Sequence, residues 1–181
     1  MNKIRKLSRK SKIAVAGFCL IIIVIAVGIY GITNNNPSTT QSVAPDTLPH
    51  TTSSSNATSD YTTKVSSITK ESNAILNDSY TVLDKLTTGE MDENTAISRL
   101  QNDKERMSGS LSEIQSLTPP QNLQHFHSLL VSAFQDLNQA LSLEISGLKN
   151  SNANDIQSAA DLTNSAVSKL NEAKKETNQT N

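Results

Sequence analysis

Residues 13–32 read IAVAGFCLIIIVIAVGIYGI, twenty in a row with no charge and no side-chain amide. As a helix rising ~1.5 Å per residue, such a run covers roughly 30 Å, the depth of a bilayer's hydrocarbon core. Six basic residues precede it (Lys3, Arg5, Lys6, Arg9, Lys10 and Lys12), and the next Lys or Arg is Lys64. This asymmetry predicts a basic cytoplasmic segment at 1–12, a transmembrane signal-anchor helix at 13–32 seated in the lipid bilayer, and an extracellular C-terminal part. The competing reading is a cleaved signal peptide, whose apolar stretch usually runs about 7 to 15 residues before a small-x-small site. The run here is longer, and Ala26-Val27-Gly28 matches that site weakly.

The net charge of −1 conceals this division. Once the first twelve residues are set aside, ten basic residues stand against seventeen acidic ones, a balance of −7 that argues against a nucleic-acid partner. Tryptophan is absent, which removes the strongest stacking platform for bases or sugars. Cys19 is the single cysteine and lies inside the apolar run, so the chain can build neither an internal disulfide nor a multi-cysteine metal site. Residues 33–59 hold thirteen Ser and Thr, three Pro (Pro37, Pro45, Pro49) and one charge, Asp46. Too little apolar surface exists there to offset ordering entropy, so a disordered linker is expected. Random-coil scaling gives it a mean reach of roughly 30 Å.

From Asp60 onward the apolar residues recur at helical spacing, and turn signals divide them into four runs. Helix one, with Asp60 as its expected N-cap, carries Tyr61, Val65, Ile68, Ser72, Ile75, Ser79, Val82 and Leu86 at alternating steps of four and three, a heptad seam. Gly89 suits the position after its C-cap. Helix two has Asp92 as N-cap and a seam of Ile97, Leu100, Lys104, Met107, Leu111 and Ile114. It must stop before Pro119-Pro120, and Gly109 marks a weak point within it. Helix three opens at the diproline and carries Leu123, Phe126, Leu130, Ala133, Leu137 and Ala140 toward Leu148, with Phe134 and Leu141 widening the face. Helix four follows the Asn150–Asn154 turn and presents Ile156, Ala159, Ala160, Thr163, Val167 and Leu170. Short connections between long helices dictate an all-α, antiparallel up-down-up-down four-helix bundle over 60–176, with a frayed tail at 177–181. Ser72, Ser79 and the alanines of helix four make a thin core, which leaves room for self-association or a protein partner along the seam.

Catalytic and metal patterns are missing from the sequence. Di-iron bundles use Glu-x-x-His pairs, but Asn122 and Gln124 stand where His125 and His127 would need an acid. The two histidines, two residues apart, fall on different faces of helix three. No serine sits at a strand-to-helix elbow, so the reading is no enzyme and no cofactor. Asn150, Asn152 and Asn154 imitate the opening of a calcium loop, with Asp161 at its twelfth position. Asp155 replaces the required glycine and too few carboxylates follow, so a capped helix turn is expected instead. Candidate interaction residues are Glu90, Asp92 and Glu93, clustered at the first interhelical turn, and His127. Acids at a helix start also interact favourably with its dipole, which is the plainer account of the first three.

The run PPQNLQHFHSLLVSA from Pro119 resembles a recurring pattern in exported helical proteins of Gram-positive bacteria, many of them lipoproteins or single-pass membrane proteins. Pro119, Pro120, Leu123, His127, Leu130 and Ala133 carry the resemblance, and residues 154–170 extend it. It implies export and a helical domain, and no particular activity. Because Cys19 lies within the apolar run, anchoring is expected through residues 13–32. His127, beside the seam, is expected to be a partly buried histidine donating to a neighbouring carbonyl. Together these readings describe a non-catalytic surface-displayed bundle, for interaction or envelope association, with a small-ligand sensor bundle as the alternative.

Overall fold

The computed structural model describes residues 53–179, with side chains from 57 to 176. The expected cytoplasmic segment, transmembrane helix and most of the linker lie outside the described residues. Within them the protein is all-helical: α1 (Ser53–Thr88), α2 (Glu93–Ser116), α3 (Gln124–Asn150) and α4 (Ala153–Gln179), with one 3-10 turn (Gln121–Leu123) ahead of α3. The described residues contain no strand and no helix long and apolar enough to cross a membrane.

The helix ends follow local chemistry. Gly89 closes α1 at φ 82°, a left-handed conformation that costs a glycine little, and the Met91 amide reaches back to the Lys85 carbonyl. Asp92 caps α2 by accepting from the Thr95 amide at 3.0 Å. α2 runs unbroken through Gly109 and stops at Ser116, ahead of the diproline. The prolines lead first into the 3-10 turn, so α3 starts four residues after Pro120 rather than at it. Ser151 takes a left-handed φ of 51° to end α3, and the Asn152 side chain then accepts from the Asn154 amide to start α4. The asparagines therefore cap a helix turn, as expected.

Two boundaries differ from the sequence reading. α1 begins at Ser53, so 53–59, read as linker, are helical and Asp60 lies inside α1 instead of capping it. α4 continues to Gln179, through residues read as frayed tail. Ser and Thr are indifferent helix formers, but no proline stands between Pro49 and the packed face of α1, so nothing local stops the helix from extending backward beyond that face.

Cross-helix bonds give the directions. Glu71 and Asp78 of α1 meet Arg106 and Arg99 of α2 respectively, so the later residue of one pairs with the earlier residue of the other. Likewise α3 pairs Asp136 and Ser146 with Lys169 and Asp155 of α4. Within each of these two pairs the helices thus run antiparallel, and all four feed one apolar core that includes Val65, Leu100, Phe134 and Ala166. The α1 seam is buried from Tyr61 to Val82 as the heptad predicts, with Leu86 half-exposed.

α3 and α4 form the most intimate helix pair. Small residues recur every seven positions on both: Ala133, Ala140 and Gly147 on α3, and Ala159, Ala166 and Ala173 on α4, all buried. Interaxial separation is set by the side chains at the contact, so alanine and glycine bring two backbones close. A Cβ added at Gly147 would stand 2.6 Å from Ile156 Cδ1 and 3.1 Å from the Asn152 carbonyl. The alanines that suggested a thin core are a close-packing device. On α4 the buried line passes through Ala166 and Ala173, while Ala160, Thr163 and Val167 are only partly covered.

Candidate functional site: a buried carboxyl layer

The seam of α2 differs from expectation in one informative way. Its buried line is Ala96, Ile97, Leu100, Asp103, Met107, Ser110 and Ile114, while Lys104 and Leu111 sit half-exposed at its edge. Asp103 has no exposed surface at all. An ionised carboxylate is costly to desolvate, and the seam spacing points to Lys104 rather than Asp103. The fold meets that cost with donors from two helices. The Ser79 hydroxyl of α1 donates to Asp103 Oδ2 at 3.0 Å, and Arg106 one turn along approaches Oδ1 at 3.3 Å. Arg106 is itself held by Glu71 of α1, at 3.0 Å through Nε and 2.7 Å through a terminal nitrogen.

On α3 the inward line Leu137, Leu141, Glu144 and Leu148 keeps the four-three spacing and places a second acid in the core. Glu144 is 3% exposed, and its Oε2 is buried without a hydrogen-bond partner. Burial pushes its carboxyl up to about 8, and the negative charge of Asp103 pushes the same way. Asp103 is also raised, first by burial and then by Asp78, against the lowering effect of the Ser79 hydroxyl and of Arg106. The layer thus joins three helices: a hydroxyl from α1, a carboxyl from α2 and a carboxyl from α3. One layer away Ser72 and Ser110 are also buried, Ser72 donating to the Ile68 carbonyl of its own helix at 3.0 Å.

The structure does not bring the sequence-predicted residues together. Glu90 and Asp92 are exposed and Glu93 partly so, all at the α1–α2 turn. Asp92 is engaged in capping, and the hydrogen bonds from Thr95 hold its carboxyl below the usual range. His127 lies at the other end, beside Tyr61, roughly 40 Å along α1 from that turn at ~1.5 Å per residue. Its partner is not a carbonyl: the Tyr61 hydroxyl stands 3.0 Å from Nδ1, and the two rings meet at a tilt of 56°. Burial raises the Tyr61 phenol and lowers the His127 imidazole, so both are neutral at pH 7 and share a single hydrogen bond. His125, facing outward, meets Glu176 of α4.

An open groove of about 380 Å³ runs along α1 and α2, lined by Asp78, Asn94, Thr95, Ser98, Arg99 and Asn102. Its central charges neutralise each other, Arg99 pairing with Asp78. Among the described residues no group of three or more His, Cys, Asp or Glu is arranged to hold a metal ion. Compared with known protein families, characterised proteins and solved structures, the chain matches none.

Proposed function

We propose that this chain is a single-pass membrane protein that displays a non-catalytic four-helix bundle outside the membrane, as a surface interaction or envelope-associated module. The observation that carries the reading is the run at 13–32, twenty uncharged residues behind six positive charges. In this reading 1–12 stay in the cytoplasm, 13–32 cross the bilayer as a signal anchor, and 33–52 tether an up-down-up-down bundle of one core. The shared core of all four helices supports a self-contained displayed domain.

Protease treatment of intact cells expressing the full chain tests this, with an N-terminal tag read on the sealed side. The proposal expects the helical domain to be digested from outside while a membrane-retained fragment of 1–32 survives. Full protection of the helical domain in intact cells, or release of the whole chain by alkaline washing, contradicts it.

One observation favours the sensor as a second reading. Ser72 and Ser79, hydroxyls on the α1 seam, are both buried, and Ser79 donates to Asp103, whose charge acts on Glu144. A sensor of this form acts with a separate signalling partner.

A further inference from the structure

The α2–α3 interface joins two hairpins, α1–α2 and α3–α4, and each hairpin buries one carboxyl, close enough that the charge of Asp103 acts on Glu144. Asp103 belongs to the first hairpin and Glu144 to the second. Like charges close together in a buried setting repel strongly, and a proton on either removes the repulsion. The Asp103 carboxyl already has two donors, Ser79 and Arg106, whereas Glu144 Oε2 has none. A carboxyl without donors is best tolerated in its neutral form.

We propose that Asp103 and Glu144 form a proton-holding pair across the junction of the two hairpins, so that alkaline surroundings weaken the grip of α2 on α3. The proton resides on Glu144, and Asp103 carries the charge that its donors favour. From α2, Arg99 and Arg106 act on Asp103, and from α1 so does Asp78, while Glu71 holds Arg106. From α4, Asp155 accepts from Ser146 and Asn152, Asp161 accepts from Gln157, and Lys169 donates to Asp136. The 3-10 turn contributes Gln121, Asn122 and Leu123, none of them charged.

The sign follows from linkage. Glu144 is held above its ordinary value of 4.5, so the folded state binds more protons than the unfolded one. The stability it contributes is intact below 4.5 and is lost as pH rises through about 8. His127 is shifted the other way, below 6.5, so it weakens the fold only on the acid side. The two limbs are therefore separable.

The test is thermal unfolding of the full-length chain in mild detergent, followed by circular dichroism between about pH 6 and pH 9 at constant salt. The parent should lose several degrees of Tm across that range, and Glu144→Gln should remove most of the loss while leaving any acid-side fall in place. An equal loss in parent and Glu144→Gln, or a flat profile in the parent, overturns the proposal. Should Glu144→Gln not fold, infrared spectroscopy of the parent decides: a protonated-carboxyl band at neutral pH that vanishes at alkaline pH supports the pair, and its absence at neutral pH refutes it. Calcium or magnesium chloride added at alkaline pH provides a further arm. If either ion restores the parent's Tm but not that of Glu144→Gln, the layer is a cation site and the proton pair is wrong.

Discussion

The two hairpins solve the same packing problem with opposite chemistry. α3 and α4 meet through alanine and glycine every seven residues, so their contact is decided by size. α1 and α2 meet through a seam that mixes Val65, Ile75 and Leu100 with Ser72, Ser79, Asp103 and Ser110, so their contact is decided partly by hydrogen bonds and charge. A close apolar seam depends little on pH or salt. A seam with a buried carboxylate depends on both, and the lesson is that one core joins a size-matched α3–α4 seam to a polar layer shared by α1, α2 and, through Glu144, α3.

Enlarging a small residue in the alanine seam should have the largest effect. Ala166→Leu, at a site with no exposed surface, forces α3 and α4 apart and should cost about 3 kcal/mol in chemical denaturation. A loss below about 1 kcal/mol would mean that the close approach is not what holds this pair.

Glu144→Leu sharpens the contrast from the polar side. It removes a buried carboxyl whose Oε2 lacks a donor, and at alkaline pH it should raise stability by about 2 kcal/mol. Denaturation midpoints above and below pH 8 check this, and destabilisation at both would show that Glu144 has a structural role beyond its charge.

Tyr61→Phe removes the hydroxyl that reaches His127 Nδ1 and should cost about 1 kcal/mol. It should also raise the His127 pKa, which proton NMR of the ring can follow. The smallest effect is expected at Gly109, an exposed position in α2 where an added Cβ meets nothing within 4 Å. Gly109→Ala should stabilise by roughly 0.5–1 kcal/mol, and a loss would mean that α2 needs flexibility there.

Much of the fold was legible because helix boundaries are local chemistry. Gly89, Asp92 and Pro119-Pro120 each act through their immediate neighbours, and the α1 seam reads off at strict heptad spacing. The start of α1 at Ser53 was not legible, since a polar Ser/Thr stretch has the same composition whether it is linker or an extended helical turn. The carboxyl layer was missed for a different reason. Reading a seam by apolar residues alone steps over Asp103 to Lys104, and passes Glu144 within a long apolar stretch. The signal was present in the spacing. Leu100, Asp103 and Met107, like Leu141, Glu144 and Leu148, keep steps of three and four, and an acid at such a step is a buried acid to be partnered from another helix. The partners, Ser79 and Arg106, are distant or ambiguous in sequence, and only the packed helices bring them to Asp103.

Native-state amide hydrogen exchange on the full-length chain, held at one pH in mild detergent, tests the division into two halves most directly. The account predicts the slowest exchange along the facing alanine stretches of α3 and α4, with α1 and α2 opening at lower free energy as one unit. Protection along α1 and α2 equal to or greater than that of α3 and α4 would contradict it.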